Sequence, residues 1–448
     1  MRNKLIQILT TLSLCATLVL SFGGCGNRGN SDSSSPNEET ESSSLTSSTA
    51  EEEQTSSSDS EEKEEQPAES AGLRYELNGD GKSYTVKGIG SCKDTDLVIP
   101  ESYNGLPVTA IGENAFGEYD NLTSVWIGES VTDIERYAFN LCTQLKSVTL
   151  GEGVERIGDG AFACRTLTEF HYNARACTDL ISNNGVFSGA GADGDGLVVT
   201  VGANVEKIPA FLFNPANSTE SKVSVTKLIF EAGSVCKSIG RYAFSCCDRL
   251  ESVVIPEGVT LIGKHAFYAC KALTEIRYNA TECANLAADD EIFYKAGRNA
   301  SGITLTVGKN VKKLPAYLFH FYDAKDDGSW TPNIEEVVFE RGSVCESIGR
   351  YAFAYCKTLS KMLLPKSLIS IGDAAFTGCL YVRTILYGGT AEEWSSISIG
   401  SYNFNLKNAS YWYYSETEPP LMENGDYDGI YWYYTANGEI ESWTPPKL

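Results

Sequence analysis

Histidine, the side chain most often used for acid–base catalysis near neutral pH, is scarce in this chain of 448 residues. The chain has only three histidines, His171, His265 and His320, and no Gly-x-Ser-x-Gly, paired metal-ligand or phosphate-loop motif accompanies them. The 59 Asp and Glu residues are mostly expected to be solvated surface charges. A carboxylate pair in a cleft is the one catalytic arrangement left open. We therefore predict that the protein is not an enzyme and needs no cofactor.

Two short strings resemble calcium-binding loops. Residues 78–81 read Asn-Gly-Asp-Gly and residues 193–196 read Asp-Gly-Asp-Gly. The first lacks the other ligand positions of a twelve-residue calcium loop, and a matching stretch of the second at 299–302 has no carboxylates. No Cys-x-x-Cys or Cys/His cluster suggests zinc. We predict turns at these places and no metal site.

The elements that must position these side chains are short repeats. The phrase Ile-Gly-x-x-Ala-Phe, or a looser form of it, occurs nine times, and several copies are 23 residues apart. A repeat of this length is one coil of a solenoid, which buries its apolar face only by stacking on its neighbours. The copies start at Ile111, Ile134 (with Glu135 in place of Gly), Ile157, Ile208, Ile239, Ile262, Leu314, Ile348 and Ile371.

A second pattern, Leu-x-x-Val-x-Ile, lies between the phrases, for example at Leu250, Val253 and Ile255. Its last two apolar positions are two residues apart, which is strand spacing, so each coil is predicted to add one strand to a long parallel sheet. The fold class is therefore a β-rich repeat solenoid with short helical or irregular outer segments. Insertions in two coils, near 177–181 and 283–287, are predicted to form short outer helices.

The fifth position of the second pattern points away from the core positions and so lies on the open face of the sheet. Along the coils this position is largely apolar, which can mark an interaction site, unless inserts or a cap cover the row. The candidate binding residues in this row are Trp126, Ile229, Val254, Arg277, Val338, Leu363 and Leu386.

Twelve cysteines follow Cys25, and most occupy equivalent repeat positions. Adjacent coils hold equivalent Cα atoms about 4.8 Å apart with side chains pointing the same way, which suits a disulfide poorly. We predict buried free thiols, with oxidation of some neighbours as the alternative in an exported protein. Five of them lie three residues after the phrase's Phe: Cys142, Cys247, Cys270, Cys356 and Cys379.

The phrase, the strand pattern and the cysteine after the phenylalanine together resemble the bacterial BspA-like class of leucine-rich repeat, over about residues 94 to 387. The resemblance implies a leucine-rich-repeat solenoid of the kind found on surface proteins thought to bind host or microbial partners. It does not identify the partner.

The first 25 residues combine a basic start at Arg2 and Lys4, an apolar run and Gly-Gly-Cys ending at Cys25. This layout predicts a secretory signal peptide over 1–24, and it resembles a bacterial lipoprotein signal, which implies lipidation of Cys25. An uncleaved membrane anchor is the alternative. Residues 25–72 are rich in Ser and Glu and are predicted to be a disordered acidic tether. The protein is thus expected to be exported and lipid-anchored to the bacterial membrane, at the cell surface.

Two segments are predicted to close the ends of the solenoid at 111–387, because solenoids need caps. Residues 73–110 form an N-terminal cap and first strand, opening with a β-hairpin around the turn at 78–81. Residues 388–448 form an aromatic C-terminal cap, with a helix starting near Thr390. Its aromatic runs are read as terminal strands that cover the last coil. The alternative is a carbohydrate platform that uses Trp394, Trp412 and Trp432.

The net charge of −23 argues against nucleic acid and anionic lipid as partners, so membrane contact is expected only through the lipid anchor. We predict adhesion to, or binding of, an extracellular protein on a host or microbial surface, without catalysis. A glycan-binding module and a passive surface spacer or antigen are the alternatives.

Overall fold

The computed structural model describes residues 67–215, 222–321 and 331–445. The predicted signal peptide lies outside this range, as do Cys25 and the tether up to residue 66. The chain divides into two units, the larger made of Pro67–Tyr434 and Glu441–Leu448. The described part of the other unit is Thr435–Ile440, a turn closed by a 2.8 Å hydrogen bond from the Thr435 amide to the Glu439 carbonyl. No helix among the described residues is both long and apolar enough to cross a bilayer.

One strand from each coil joins a 15-stranded sheet, called here the long sheet. Its strands follow one another in chain order and are parallel from Asp96–Ile99 to Ile430–Tyr434, as where Ser252 pairs with Glu275 and Val253 with Ile276. The predicted alternation is present, since Val253 and Ile255 are buried and Val254 faces outward. The long-sheet strands are β3 (Asp96–Ile99), β6 (Ser124–Ile127), β8 (Ser147–Thr149), β10 (Glu169–Tyr172), β11 (Leu197–Val201), β13 (Val225–Phe230), β15 (Ser252–Ile255), β17 (Glu275–Tyr278), β18 (Ile303–Val307), β20 (Ile334–Phe339), β22 (Lys361–Leu364), β24 (Thr384–Tyr387), β26 (Ser410–Tyr414), β27 (Ile430–Tyr434) and β28 (Ile440–Ser442).

The other side of most coils is a two-residue strand that ends on the first residue of the phrase. These strands form three separate short sheets. The first contains β1 (Arg74–Leu77), β2 (Tyr84–Gly88), β4 (Ser102–Tyr103), β5 (Leu106–Ile111), β7 (Asp133–Ile134) and β9 (Arg156–Ile157). The second contains β12 (Lys207–Ile208), β14 (Ser238–Ile239) and β16 (Leu261–Ile262), and the third contains β19 (Lys313–Leu314), β21 (Ser347–Ile348), β23 (Ser370–Ile371) and β25 (Ser398–Ile399).

The two insertions are complete coils, and the prediction of short helices at 177–181 and 283–287 is wrong. Each insertion brings its own long-sheet strand, β11 or β18, and its own buried phenylalanine, Phe187 or Phe293. Each lacks the two-residue strand, which is why the short sheets are broken between β9 and β12 and again between β16 and β19. The helices that the described residues contain are α1 (Ala391–Ser395) and a 3₁₀ helix (Phe404–Asn408).

Stacked phenylalanines form the centre of the core. Neighbouring rings lie with centroids 4.7 to 5.7 Å apart and each ring is at most 2 % exposed. A single coil could not bury such a ring, so the stack supplies the apolar burial that holds the coils together. The rings belong to Phe116, Phe139, Phe162, Phe187, Phe213, Phe244, Phe267, Phe293, Phe319, Phe353 and Phe376.

The glycine of the phrase lies against the backbone of the preceding coil. A Cβ atom on Gly263 would lie 2.4 Å from the amide nitrogen of Arg241, which leaves no room for any other residue without a backbone shift. Two residues later the chain takes the left-handed conformation, even where the residue is aromatic, as at Tyr351 with φ 56°. That ring stacks on Tyr317 with centroids 5.2 Å apart, and this contact offsets part of the backbone strain.

The twelve described cysteines are free thiols, as predicted, and all except Cys246 and Cys283 are buried. The thiol that follows the phrase donates a hydrogen bond to the phenylalanine carbonyl of the preceding coil, for example Cys379 to Phe353 at 3.0 Å. Burial raises the pKa of Cys379 to about 12. These cysteines therefore act as small buried side chains that also satisfy a backbone acceptor.

Further strands extend the first short sheet at the N-terminal end and the long sheet at the C-terminal end. At the N-terminal end β1 and β2 form an antiparallel hairpin, and β2 pairs with β5. At the C-terminal end Thr390 caps the N-terminus of α1, and its hydroxyl accepts the Glu393 amide in a capping box. Strands β26 and β27 then extend the long sheet, and the buried Trp432 donates its indole N–H to the Tyr387 carbonyl at 3.1 Å.

Candidate functional site

The outward-facing fifth positions form one continuous row across the long sheet, called here the open row. Strand pairing places Trp126 beside Thr149, and the row then passes through His171 and Thr200 to Ile229. Because Lys227 pairs with Ser252, Ile229 lies next to Val254. From there the row continues through Arg277, Thr306, Val338, Leu363 and Leu386 to Trp412. All seven predicted binding residues therefore share one face.

The middle of the open row is its most accessible apolar part. Ile229 and Val254 sit on neighbouring strands and are 44 % and 40 % exposed. Arg277 follows them and forms an ion pair with Glu340, whose carboxylate also accepts the Lys309 amide at 2.9 Å. The row therefore presents an aliphatic pair beside a charged pair, with Trp126 and Val338 half-buried toward its ends.

Leu363 and Leu386 are buried, with 6 % and 2 % of their surface exposed, so the expectation that they lie on the open surface is wrong for these two. Leu386 is flanked on its C-terminal side by Trp412 of β26. Leu363 lines a recess of about 200 Å³ together with Trp432 and Tyr434. The aromatic strands after residue 409 thus enclose this end of the row, which no local pattern around Leu363 could reveal.

Two further residues of the open row, Thr200 and Thr306, were not predicted from the sequence. They lie on β11 and β18, in the coils that lack the Ile-Gly phrase. The alternating strings LVVTV and ITLTV were the available signal, because their period of two residues is that of a strand. Both threonines are half-buried, and they separate the apolar members of the row with hydroxyl groups.

A polar flank runs beside the open row at the third position of the strand pattern. Lys361 and Glu336 form an ion pair of 2.7 Å across β22 and β20. At the N-terminal end the Asp96 carboxylate accepts hydrogen bonds from the hydroxyls of Ser124 at 2.6 Å and Thr123 at 2.7 Å. These hydrogen bonds lower the pKa of Asp96. The flank therefore carries fixed charges on both sides of the aliphatic pair.

The three tryptophans proposed for a carbohydrate platform do not share one accessible surface. Trp432 is 1 % exposed. Trp394 packs between Tyr387 and Tyr411, with ring centroids 5.2 and 5.0 Å away. Trp412 alone of the three lies in the open row, where it is half-buried. A sugar stacked on all three rings would require repacking of the C-terminal strands.

The three histidines lie in separate environments. His171 belongs to the open row. The ring nitrogens of His265 contact the Tyr242 hydroxyl at 2.6 Å and the Glu291 carboxylate at 3.0 Å. His320 contacts the Ala288 carbonyl at 3.1 Å, and burial lowers its pKa. No group of three or more His, Cys, Asp or Glu side chains in the described ranges could hold a metal ion.

An acidic cleft of about 720 Å³ lies on the outer side of β7 and β9, and it includes the carboxylates of Glu113, Asp133 and Glu135. Asp133 is held by Arg156 in a bidentate ion pair, and the Glu135 carboxylate accepts the Glu113 amide at 2.7 Å. Burial would raise the pKa of Asp133, but hydrogen bonds from Arg156 and Thr132 lower it overall. A general acid needs a raised carboxyl pKa, so this paired carboxylate is not suited to that role.

Comparison with known proteins gives the family. The profile of the BspA type leucine rich repeat region matches residues 90–190, 237–326 and 329–417, in six copies. This is more than half of the chain, and the protein belongs to that family.

The chain is also similar to solved structures of bacterial proteins, two of which are described as leucine-rich. A leucine rich cell surface protein from Faecalibacterium prausnitzii is 20 % identical, with 74 % of this chain and 98 % of that chain covered and a TM-score of 0.35. A leucine-rich repeat protein from Bacteroides ovatus is 18 % identical, with coverage of 76 % and 92 % and a TM-score of 0.34. The pneumococcal vaccine antigen PcpA is 16 % identical, with coverage of 78 % and 93 % and a TM-score of 0.32. No curated protein matches the chain.

Proposed function

We propose that this protein is displayed on the bacterial cell surface, anchored by a lipid on Cys25, and binds an extracellular protein partner through the open row without catalysing a reaction. The display is supported by the layout of the first 25 residues and by the likeness to one leucine rich cell surface protein, from Faecalibacterium prausnitzii. The partner is expected on a host or microbial surface. Neither a cofactor nor nucleic acid takes part.

The observation that carries the binding proposal is the exposed aliphatic pair of Ile229 and Val254, 44 % and 40 % exposed at adjacent positions of the open row. Solvent-facing strand positions ordinarily carry polar side chains, and an apolar cluster with a polar rim marks an interaction site. Arg277 with Glu340, and Glu336 with Lys361, supply that rim. Apolar contacts at the centre and charges at the edge suit a folded protein surface better than a sugar.

The experiment is a binding assay with the purified chain on a sensor surface, probed with extracellular-matrix proteins, mucins and glycans. Val254→Asp places a charge in the centre of the open row and should abolish saturable binding of the partner. Val235→Asp is the matched control, because Val235 is also 40 % exposed but lies outside the strands of the long sheet. Unchanged affinity for Val254→Asp would contradict the proposal.

The same assay separates the alternatives. Binding only to glycans, lost on Trp412→Ala, would favour the carbohydrate module, since Trp412 is the one tryptophan of the three in the open row. Binding to none of the probes would favour a spacer or surface antigen. Salt should have little effect on the protein complex, because its centre is apolar.

A further inference from the structure

The recess beside Leu363 is enclosed by three aromatic side chains of the last strands, and we call it the aromatic recess. The rings of Tyr414, Trp432 and Tyr434 contact one another, with centroids 5.1 to 6.0 Å apart and planes inclined by 49 to 80°. They therefore meet as a corner and not as a flat stack. Trp432 is buried, whereas Tyr414 and Tyr434 are half-buried, so the two tyrosines are the accessible part of this corner.

Two basic residues, Arg341 and Lys366, line the same recess. The Arg341 guanidinium lies 4.9 Å from the centre of the Tyr434 ring, and no carboxylate among the described residues forms an ion pair with it. Lys366 pairs with Glu393 at 2.9 Å. The two side chains of this pair are 66 % and 39 % exposed, so solvent screens it and Lys366 can exchange Glu393 for another anion at little cost.

Both basic residues are departures from the repeat. Residues 339–348 are a near copy of residues 230–239, and residues 362–372 are the counterpart of residues 253–263 in the preceding block. At two positions of the recess lining the preceding block has an alanine and a glutamate, so the third block carries three more positive charges there. The replacements are Ala232 by Arg341 and Glu257 by Lys366.

The preceding block also lacks the aromatic cover at this place, since Val254, the counterpart of Leu363, is 40 % exposed. The basic residues and the aromatic corner therefore occur together, in one block of the solenoid. A repeat that is otherwise copied closely has changed at the positions where a small recess was formed.

We infer that the aromatic recess binds an acidic sugar residue, a uronic or sialic acid, with its ring against Tyr414 and Tyr434 and its carboxylate on Arg341 and Lys366. The volume of about 200 Å³ is below the range of about 300 to 1,000 Å³ for typical ligand pockets, and it suits a single ring. The negative faces of tyrosine rings attract the C–H groups of a sugar. A guanidinium binds a carboxylate through two parallel hydrogen bonds.

The charge of the lining favours an anion. Glu340 is the one carboxylate among the residues that line the recess, and it is already paired with Arg277. Arg341 and Lys366 outnumber it, although the chain as a whole carries −23. An anionic group is therefore attracted here and repelled from most of the remaining surface.

The aromatic recess is a second site, separate from the exposed aliphatic pair. Leu363 lies four strands along the open row from Val254. Binding of an acidic sugar in the recess therefore does not depend on the protein partner proposed for the open row.

The test is calorimetric titration of the full chain with N-acetylneuraminic acid and with glucuronic acid, and with glucose as the neutral comparison. The wild type should bind both acids saturably and glucose at least about tenfold more weakly, because glucose has no carboxylate. Arg341→Ala and Lys366→Glu restore the residues of the preceding block and should each weaken binding of the acids at least about tenfold. Arg350→Ala is the matched control, because Arg350 also lies over a tyrosine ring, that of Tyr317 at 5.1 Å, but outside the recess.

Salt and Val254→Asp separate this site from the open row. Rising salt should weaken binding of the acids, since two cations supply the attraction, whereas Val254→Asp should leave it unchanged. No saturable binding of either acid, equal binding of glucose, or binding that Arg341→Ala leaves intact would each overturn the inference. Inorganic phosphate bound as tightly as the acids would mean that the cations alone form the site, and benzoate bound more tightly would make an aromatic carboxylate the occupant. Either result would also overturn it.

Discussion

The carboxylate of Asp179 accepts a 3.0 Å hydrogen bond from the amide of Ala210. At this position other coils have a two-residue strand that pairs with the strand of the next coil. Asn285 does the same for the amide of Ala316, also at 3.0 Å, in the second extra coil. The carbonyl of Ala210 in turn accepts the Leu180 amide at 3.1 Å. A side chain therefore replaces the missing short strand in both coils and keeps the next coil's amide satisfied.

Asp179→Ala should lower the free energy of unfolding by about 1 kcal/mol, because the buried Ala210 amide loses its acceptor. Asp179→Asn keeps an acceptor oxygen and is the matched control, since the second block uses Asn285 in this role. Urea unfolding of the three proteins measures the difference. Equal destabilisation by Ala and Asn would show that the charge, and not the hydrogen bond, is what stabilises the coil.

Acid should weaken the Asp179 contact. Burial alone would raise the pKa of Asp179, but the Ala210 amide and Lys207 outweigh it and lower the pKa. A carboxyl with a lowered folded-state pKa stabilises above its unfolded value of about 3.9 and loses that contribution as the pH falls through the folded-state pKa. The wild type should therefore lose slightly more stability than Asp179→Asn below about pH 4, by a small margin because solvent screens the exposed Asp179–Lys207 pair. Parallel acid-unfolding curves would contradict this.

The stacked phenylalanines should be far more sensitive to substitution than Phe404, which ends a further, looser copy of the phrase at residues 399–404. Phe244→Ala removes a fully buried ring between Phe213 and Phe267 and should cost about 3 to 5 kcal/mol. Phe404→Ala, at 64 % exposure, should cost less than about 0.5 kcal/mol. Denaturant unfolding compares them. Similar losses in both variants would mean that Phe404 is packed.

The glycine of the phrase should not tolerate even a methyl group. Gly263→Ala would put a Cβ atom 2.4 Å from the Arg241 amide nitrogen, so the two coils must separate. We expect a loss of about 2 kcal/mol or more. Gly79→Ala, where no atom lies within 4 Å of the added Cβ, is the control and should change the unfolding free energy by less than about 0.5 kcal/mol. Thermal unfolding followed by circular dichroism measures both.

Most thiols should be unreactive in the folded protein. Burial raises the pKa of Cys379 to about 12 and those of Cys236 and Cys345 to about 11, so little thiolate forms at neutral pH. Among the twelve described cysteines, the half-buried Cys246 and Cys283 should be modified first by a thiol reagent. Mass spectrometry of the labelled peptides, with and without denaturant, measures the order in which the cysteines react. Early labelling of Cys379 in the native protein would contradict it.

The sequence pattern predicted the coils wherever the phrase was intact. The phenylalanines of all nine phrases lie in the stack, and the strand pattern placed the seven candidates in a single row. Phe187 and Phe293 were missed because the residues before them read Asn-Asn-Gly-Val and Asp-Asp-Glu-Ile, which lack the Ile-Gly that identifies a short strand. A coil whose outer side is held by Asp179 or Asn285 has no such strand to predict.

The accessibility of the candidate site could be predicted only in part. Val254 and Leu363 occupy the same repeat position, yet one is 40 % exposed and the other 6 %. The difference arises from Trp432 and Tyr434, about 70 residues further along the chain than Leu363, which reach the same recess. Local periodicity states which way a strand residue points. Local periodicity does not predict whether a distant segment of the chain will cover that residue.

The two breaks in the outer strand pairing mean that the solenoid does not resist a pulling force equally along its length. Tension applied along the stack is shared by the continuous ladder of the long sheet, but on the outer side it passes through three separate ladders. At the two junctions it falls on the side chains of Asp179 and Asn285 and their few neighbouring hydrogen bonds. Under such a load we therefore expect the coils to separate first at these two junctions, with the phenylalanine stacks on either side parting as intact blocks.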